Sequence, residues 1–406
     1  MNYLYVNKNY PLFFIAIIFF LSTLWDFRLN DQIRIFDLLS FLIIIGLSFY
    51  LYMNKSREIY KSFLKKSDLF PFLIVVLIWA IYGAINYHHK SSVAIICGVS
   101  ILIICSLVFN LSIHFGRFLV FIIGLHLLAF YFQFLSYIIF HYKLDYLSII
   151  NISSAIFPED GNFFYRASGL FREPSSYALN MFLMLTILMK FYQKHFIFGL
   201  GLLSIFLSGS LWGFFSFFVF VGCYFFNYYK LSFSNVKKLF IWLLLILSLM
   251  VGFFLVTKPS NIHYPNTINR IINFKSDGSF IERFQHSNIN NIKFSSVAPG
   301  KEMINPIINL SSDQIFLFGR GISTHFFFEK HPLNGYHLIF LSFGLFGTTA
   351  LFFSFFLAIR NQSFKEKFIF TTLIAFSLSN YPLFTHLIFW LFLTFIFNSS
   401  LYAQKR

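Results

Sequence analysis

Apolar residues along this chain form long continuous blocks rather than stripes with helical spacing. A helix needs about 20 apolar residues to cross the hydrocarbon core of a bilayer. Blocks near this length run over residues 10–25, 35–52, 69–87, 92–109, 118–140, 175–192, 239–256 and 337–358. Because the blocks are apolar all round, their surroundings have to be lipid or other apolar helices. The pattern predicts an all-α polytopic membrane protein with a single integral membrane domain over residues 1–406.

Two further apolar regions are interrupted in the middle. Residues 196–229 contain Ser208-Gly209-Ser210, and residues 368–397 contain Ser379-Asn380-Tyr381-Pro382. Because small, polar and proline residues interrupt a helical pattern, each region forms either one long span or a hairpin of two short spans.

The distribution of Lys and Arg decides between these arrangements. With two hairpins there are twelve spans, and the short segments on the side of both termini hold 17 Lys and Arg against 3 in the short loops opposite. With two single spans the division is 11 against 9. Since cytoplasmic loops carry the excess of positive charge, the sequence predicts about twelve spans, some short or broken, with both termini in the cytoplasm.

This topology brings two large hydrophilic loops to the extracytoplasmic face. They comprise residues 141–174 and 257–336, and neither has the composition of an independent domain. The second loop is long enough for a few amphipathic helices on the membrane surface.

Composition supports a membrane environment and excludes other classes. Hydrophobic residues make up 58% of the chain and charged residues 11%, with a mean hydropathy of +0.72, whereas soluble domains carry roughly 25% charged residues. The net charge of +16 does not indicate nucleic-acid binding, because the basic residues lie in short loops between apolar blocks. All three cysteines lie inside apolar blocks and predict neither disulfide bonds nor a metal site.

The first outer loop ends in the run Arg166-Ala167-Ser168-Gly169-Leu170-Phe171-Arg172-Glu173-Pro174-Ser175-Ser176, directly before a span. Pro174 suits the first turn of a helix, and Ser175 or Ser176 can cap it. The carboxylate of Glu173 suits the positive end of the helix dipole. The ordinary interpretation is therefore a helix start with its charges at the lipid headgroups.

Arginines in both outer loops allow a second interpretation. Arg166 and Arg172 flank a helix start, where backbone N–H groups favour an anion such as phosphate or pyrophosphate. In the second loop, glycines on both sides of Arg320 let the backbone bend tightly and aim the guanidinium inward. The ordinary alternative there is a turn with a solvated arginine.

The second loop then runs into a span through a polar segment that contains His325, His331, Asn334, Tyr336 and His337. A structural or headgroup-contact role is the commoner one for any single histidine. Together these histidines supply a candidate general base.

These runs resemble a known family. The string Arg-x-x-Gly-Leu-Phe-x-Glu-Pro-Ser, which begins at Arg166, resembles a motif of O-antigen and capsule polymerases of the Wzy type. The later runs Gly319-x-Gly321, Asn334-Gly335-Tyr336 and Gly344-Leu345-Phe346-Gly347 resemble the same family. So does the layout of twelve spans with two large outer loops, which the related O-antigen ligases share.

The resemblance implies a metal-independent glycosyltransferase without a cofactor, with an architecture like that of GT-C enzymes, in the bacterial inner membrane. It would polymerise lipid-linked repeat units by transferring the growing glycan from undecaprenyl pyrophosphate to an acceptor unit at the outer face. The implied partners are this donor and acceptor, the bilayer, a chain-length regulator and a flippase.

Roles for individual residues also follow from the resemblance. Arg166, Arg172 and Arg320 would clamp the pyrophosphate, and Glu173 would orient an arginine or take the proton of the acceptor hydroxyl. Relatives carry a His-Asn pair at the second loop, but Leu333 precedes Asn334 here. His331 or His337 takes the place of that histidine, or the chain has no histidine base. The residues implied in substrate binding are Gly169, Ser175, Asn334 and Tyr336.

The residues themselves are consistent with this chemistry. Neither outer loop contains an Asp-x-Asp pair, which would hold a divalent metal. Arginines therefore remain the source of positive charge for a departing pyrophosphate, whose oxygens they bind bidentately.

Other functions share some of these features. An O-antigen ligase would have the same donor and arginines but a lipid A core acceptor. A flippase or other transporter would place ionisable groups or broken helices in mid-membrane. A membrane acyltransferase would require a histidine within the membrane, for which His126 and His386 are candidates.

The predicted topology can be tested with cysteines in the two large loops. We expect Ile150→Cys and Asn290→Cys both to react with impermeant thiol reagents from outside intact spheroplasts. Reaction at one position only would mean that a hairpin has been miscounted.

Overall fold

The computed structural model describes the chain in separate stretches. These are parts of 17–46, then 69–87, 113–140, 142–150, 167–171, 173–189, 191, 196–228, 312–319, 321, 335–378 and 387–397. Over these residues the protein is α-helical, apart from a two-stranded antiparallel ribbon in which β1 (Arg28–Asn30) pairs with β2 (Ile33–Arg34). The prediction of an α-helical protein is confirmed at this level.

The described helices are α1 (Phe70–Tyr87), α2 (Ile113–Phe140), α3 (Pro174–Leu188), α4 (Phe196–Leu207), α5 (Leu211–Tyr228), α6 (Ser312–Phe318), α7 (Gly335–Ala358), α8 (Phe364–Leu378) and α9 (Leu387–Phe397). Helices α1, α2, α3 and α7 correspond to apolar blocks in the sequence. The predicted spans 92–109 and 239–256 lie outside the described residues.

One segment, Gly116–Phe140, has the length and apolar composition needed to cross a membrane. Its 25 residues correspond to roughly 37 Å of helix. The apolar segments of other described helices are shorter, with 10–17 residues each; in α7, for example, the segment is Ser342–Ala358. The count of twelve spans stays a prediction.

Helix α1 has two different apolar faces. Its buried face carries Phe72, Leu73, Val76 and Ala80. Its exposed face carries Ile74, Ile78, Ile81 and Ile85, each 48–58% exposed and spaced so that they form one stripe along the helix. A continuous stripe of exposed isoleucines is unfavourable in water and suits contact with lipid.

Contacts divide the chain into two compact units. The first unit consists of Met1–Leu119, Glu282–Ser363 and Ser377–Arg406. Within it, α1 and α6 both pack against α7. The turn after α7 also holds the end of α9, because the side-chain amide of Gln362 donates to the carbonyl oxygen of Ile396 at 2.6 Å.

The second unit consists of Val120–Ile281 and Phe364–Phe376, and it is built around α3, α4 and α5, which pack on one another. The predicted interruption at Ser208-Gly209-Ser210 is present: α4 ends just before it and α5 begins just after it. Ser210 caps α5 by accepting a hydrogen bond from the N–H of Gly213 at 3.3 Å. The ring of Phe206 contacts those of Phe214 and Phe217, so the two helices form a hairpin.

Close packing in this unit depends on small residues. A Cβ atom on Gly213 would lie 2.9 Å from the carbonyl oxygen of Ile205 and 3.1 Å from the Cβ of Ala178. Beside this contact, Tyr177 of α3 donates a hydrogen bond to the hydroxyl oxygen of Ser204 of α4 at 2.6 Å. Small residues at such positions let helix backbones approach closely, as is common between membrane helices.

Two glycines of α5 provide a test of this packing. Gly213→Ala places a methyl group against helix backbone and is expected to destabilise the protein by about 1–3 kcal/mol. Gly222→Ala on the same helix meets no atom within 4 Å, and it is expected to be neutral or to stabilise by up to about 1 kcal/mol. Thermal unfolding of the two variants in detergent distinguishes them, and equal midpoints would contradict the packing described here.

Candidate functional site

Residues 168–171, within the Arg-x-x-Gly-Leu-Phe-x-Glu-Pro-Ser motif, form a buried turn that is held by one glutamine of α2. The N–H groups of Ser168 and Gly169 both donate to Oε1 of Gln133, each at 2.8 Å. The turn closes on itself, since the Ser168 hydroxyl donates to the Phe171 carbonyl oxygen at 2.6 Å and the Phe171 N–H donates to the Ser168 carbonyl oxygen. Gly169 has φ +58°, a left-handed conformation that favours glycine.

Aromatic contacts hold the same segment on the same face of α2. The ring of Phe171 stacks on His126 with 5.3 Å between ring centroids, and Tyr177 stacks on Phe130 at 4.6 Å. His126, Phe130 and Gln133 are spaced four and three residues apart and therefore share one helix face. All three side chains are completely buried.

The start of the loop over residues 141–174 also docks on α2. Gln133 Nε2 donates to the carbonyl oxygen of Leu144 at 2.9 Å, and the Tyr146 hydroxyl donates to that of Ala129 at 3.1 Å. Partial burial raises the pKa of the Tyr146 phenol above its ordinary value. The group is protonated at neutral pH even without this shift, and the shift extends its role as a donor to more alkaline pH. Both ends of this loop are thus fastened to one helix, and Gln133 contacts both.

Helix α3 begins at Pro174, which occupies the first helical position as predicted. The prediction that Ser175 or Ser176 caps this helix is wrong, because Glu173 occupies the N-cap position and both serines lie inside the first turn. The Glu173 side chain makes no capping hydrogen bond; its Oε2 accepts a hydrogen bond from the Ser175 hydroxyl at 3.2 Å. Glu173 is exposed, so its carboxylate is accessible beside the turn.

The glycines of the second motif pack against a break in α7. Gly344 interrupts this helix with φ +64° and ψ −171°, a conformation almost restricted to glycine. The N–H of Gly321 donates to the carbonyl oxygen of Ser342 at 2.8 Å. Gly319 lies directly against the backbone of Ser342 and Gly344, where a Cβ atom would overlap both. Two glycine runs that are separate in the sequence thus form one contact.

Trp79 of α1 closes this contact from the other side. Its indole N–H donates to the carbonyl oxygen of Phe318 at 2.9 Å, and its ring stacks on Phe343 at 5.8 Å between centroids. The same ring leaves no room for a side chain at Gly347. A Cβ atom on Gly321 would likewise overlap the backbone of Gly83 on α1. Gly319 and Gly321 are therefore both buried, against α7 and α1.

The structure describes the other predicted site residues to different extents. Five of them lie outside the described residues: Arg166, Arg172, Arg320, His331 and Asn334. Tyr336 and His337 lie in the first turn of α7, and only their backbone is described. The clamp of arginines and the general base therefore stay predictions. Within the described part of the chain, no group of three His, Cys, Asp or Glu side chains is placed to hold a metal ion.

Sequence reasoning missed Gln133 and Trp79 as the residues that hold the two turns. A signal for Gln133 was present, because His126 and Gln133 are polar residues seven positions apart in an otherwise apolar helix, which puts them on one face. No comparable pattern marks Trp79, since its partner Phe318 lies 239 residues away.

The break in α7 leads to a specific prediction. Gly344→Ala is expected to destabilise the protein by about 1–3 kcal/mol from backbone conformation alone, and further through overlap with Gly319 and Leu317. Gly124→Ala in α2 is the matched control, because nothing lies within 4 Å of its added methyl group. Thermal unfolding in detergent measures both, and a Gly344→Ala variant as stable as the control would contradict the kinked geometry.

Comparison of the chain with models of protein families, with characterised proteins and with solved structures finds no match. What the protein does is therefore inferred from its own motifs and from the geometry of the two glycine turns. Both turns lie beside arginines in the sequence, and each is buried against apolar helices of its own unit.

Proposed function

We propose that this chain is a metal-independent glycosyltransferase that polymerises undecaprenyl-pyrophosphate-linked oligosaccharide repeat units into O-antigen or capsular polysaccharide. One observation carries this proposal. Gly169, Gly319 and Gly321 lie within three residues of the three motif arginines, and all three glycines are buried with positive φ against neighbouring helices. An ordinary surface turn keeps its glycines in solvent and needs no such fastening. Buried turns support the interpretation in which the arginines bind an anion.

The proposed location is the bacterial inner membrane, with multiple spans and both termini in the cytoplasm. The exposed isoleucine stripe of α1 and the 17-to-3 division of basic residues both support it. A substrate with a polyprenyl tail remains in the bilayer, which accounts for an embedded enzyme.

The proposed chemistry uses positive charge without metal. A glycosyl pyrophosphate is already activated, so catalysis requires stabilisation of the departing phosphates and positioning of the acceptor hydroxyl. Arg166, Arg172 and Arg320 stabilise the leaving group in this proposal, since guanidinium groups stay charged and bind phosphate oxygens bidentately. The accessible carboxylate of Glu173 orients an arginine or accepts the proton of the acceptor hydroxyl.

The position of His126 argues against a membrane acyltransferase. A catalytic histidine has to reach its substrate, but His126 is completely buried and its ring is covered by Phe171. His386, the other histidine considered for that role, lies outside the described residues.

A flippase is the second candidate, because α7 is broken at Gly344 and broken helices line the pathways of many transporters. In this chain, however, the carbonyl oxygen of Ser342 at the break is taken by the N–H of Gly321. Gly319 also lies directly against this carbonyl group, so the break is filled by the protein's own backbone, which favours the enzyme over a transport pathway.

Arginine substitutions test the proposal. Arg166→Ala, Arg172→Ala and Arg320→Ala are each expected to abolish long-chain polysaccharide while the protein stays in the membrane, because each removes charge from the leaving-group site. The measurement is a polysaccharide gel with immunoblotting of membranes. Arg117→Ala is the control, since Arg117 is exposed at the start of α2 and lies outside both motifs. Normal chain-length ladders from all three motif variants would refute the proposed site.

Deletion of the gene separates the candidate functions. Single repeat units on the lipid A core would indicate a polymerase, because ligation continues without polymerisation. Polymer left on its lipid carrier would indicate an O-antigen ligase, and the absence of any exported repeat unit would indicate a flippase.

A further inference from the structure

We propose that Gln133 is a positioning residue, which sets the direction of the backbone that carries Arg166 and Arg172. The inference rests on the proposed function, because a positioning role requires that those arginines bind the leaving group. The contacts of Gln133 stand independently of that function.

The side chain of Gln133 uses both of its polar atoms to hold the loop. Its Oε1 has two lone pairs and accepts hydrogen bonds from the consecutive N–H groups of Ser168 and Gly169. Its Nε2 donates to the carbonyl oxygen of Leu144. One rigid, planar amide therefore ties the beginning of the first outer loop to its end.

The position of the tie along the chain is what links it to the arginines. Arg166 precedes the clamped Ser168 by two residues, and Arg172 follows the clamped Gly169 by three. Rotation of this turn would change the direction in which the chain leaves it, toward Arg166 on one side and Arg172 on the other. Since catalytic groups have to be held closely to be effective, a residue that fixes the turn acts on the reaction through them.

Side-chain packing alone does not fix the direction of the turn. The stacking of Phe171 on His126 and of Tyr177 on Phe130 anchors the segment to α2. Aromatic stacking tolerates sliding and rotation. The hydrogen bonds of Gln133 are directional: two N–H groups converge on its Oε1, and its Nε2 donates to Leu144. Gln133 thus adds direction to a segment that is already attached.

The test compares Gln133→Met with Gln362→Met. Methionine is similar in size to glutamine but cannot make these hydrogen bonds. Gln362 is also buried, and its amide holds the end of α9 within the other unit. Gln133→Glu is the conservative variant. Burial favours the neutral carboxyl group, whose carbonyl oxygen can accept from both N–H groups and whose O–H can donate to Leu144.

Two quantities are measured on purified protein in detergent or proteoliposomes. The first is the turnover of lipid-linked repeat units extracted from the deletion strain. The second is hydrogen exchange of the amides at residues 167–171, measured by mass spectrometry. For Gln133→Met we expect kcat to fall about 10- to 100-fold with little change in KM, together with loss of amide protection. Gln133→Glu is expected to recover most of both quantities, and Gln362→Met is expected to keep both.

Either of two results would overturn the inference. Unchanged amide protection in Gln133→Met would mean that the glutamine does not hold the turn. Lost protection with turnover within about 2-fold of Gln362→Met would mean that the turn does not position the arginines. Failure of the proposed function gives a different result: the wild-type protein then does not extend the repeat units, while the exchange comparison still reports on the clamp.

Discussion

At the two motif turns the buried backbone leaves helical geometry, and there its polar groups require partners. Water and helical hydrogen bonds are not available to such groups, and an unpartnered one is costly in an apolar surrounding. At the first place, Gln133 accepts the N–H groups of Ser168 and Gly169. At the second, the carbonyl oxygen of Ser342 accepts the N–H of Gly321. Each partner comes from a different part of the chain, so each irregular segment is specified by a distant one.

Glycine makes both arrangements possible for related reasons. Gly169 and Gly344 adopt positive φ, which other residues reach at a cost. Gly319 and Gly321 are needed as well because backbone from another helix lies where their side chains would be. A short run of glycines around an arginine is therefore more than a flexible turn in this protein. Gly319 and Gly321 let the chain pass close to the backbone of neighbouring helices.

The sequence predicted the helices well and the tertiary contacts poorly. The lengths of the apolar blocks predicted α1, α2, α3 and α7. A run of apolar residues long enough for such a helix is a local property of the sequence. The break at Ser208-Gly209-Ser210 was also predicted, since small and polar residues interrupt helices locally. The cap of α3 was assigned to the wrong residue, because serines and Glu173 are all compatible with that position.

The contacts that hold the two turns follow from long-range geometry, which a single sequence does not contain. The runs Gly319-x-Gly321 and Gly344-Leu345-Phe346-Gly347 were recognised separately, but nothing in either run indicates that Gly319 packs against Gly344. Trp79 and Gln133 belong to blocks that were predicted only as spans. The partners of their polar atoms are backbone groups of distant segments, which the sequence does not identify.

The glutamine itself is informative about why the turn exists. A buried amide inside an apolar helix has to lose its water, and that cost is recovered only when all its hydrogen bonds are made. If α2 needed only to pack, an apolar residue at position 133 would serve as well as its neighbours Phe130 and Phe134 do. The amide is required because the Ser168–Gly169 segment is irregular. Arg166 and Arg172 lie on either side of this segment in the sequence, so the proposed function depends on how the segment is held.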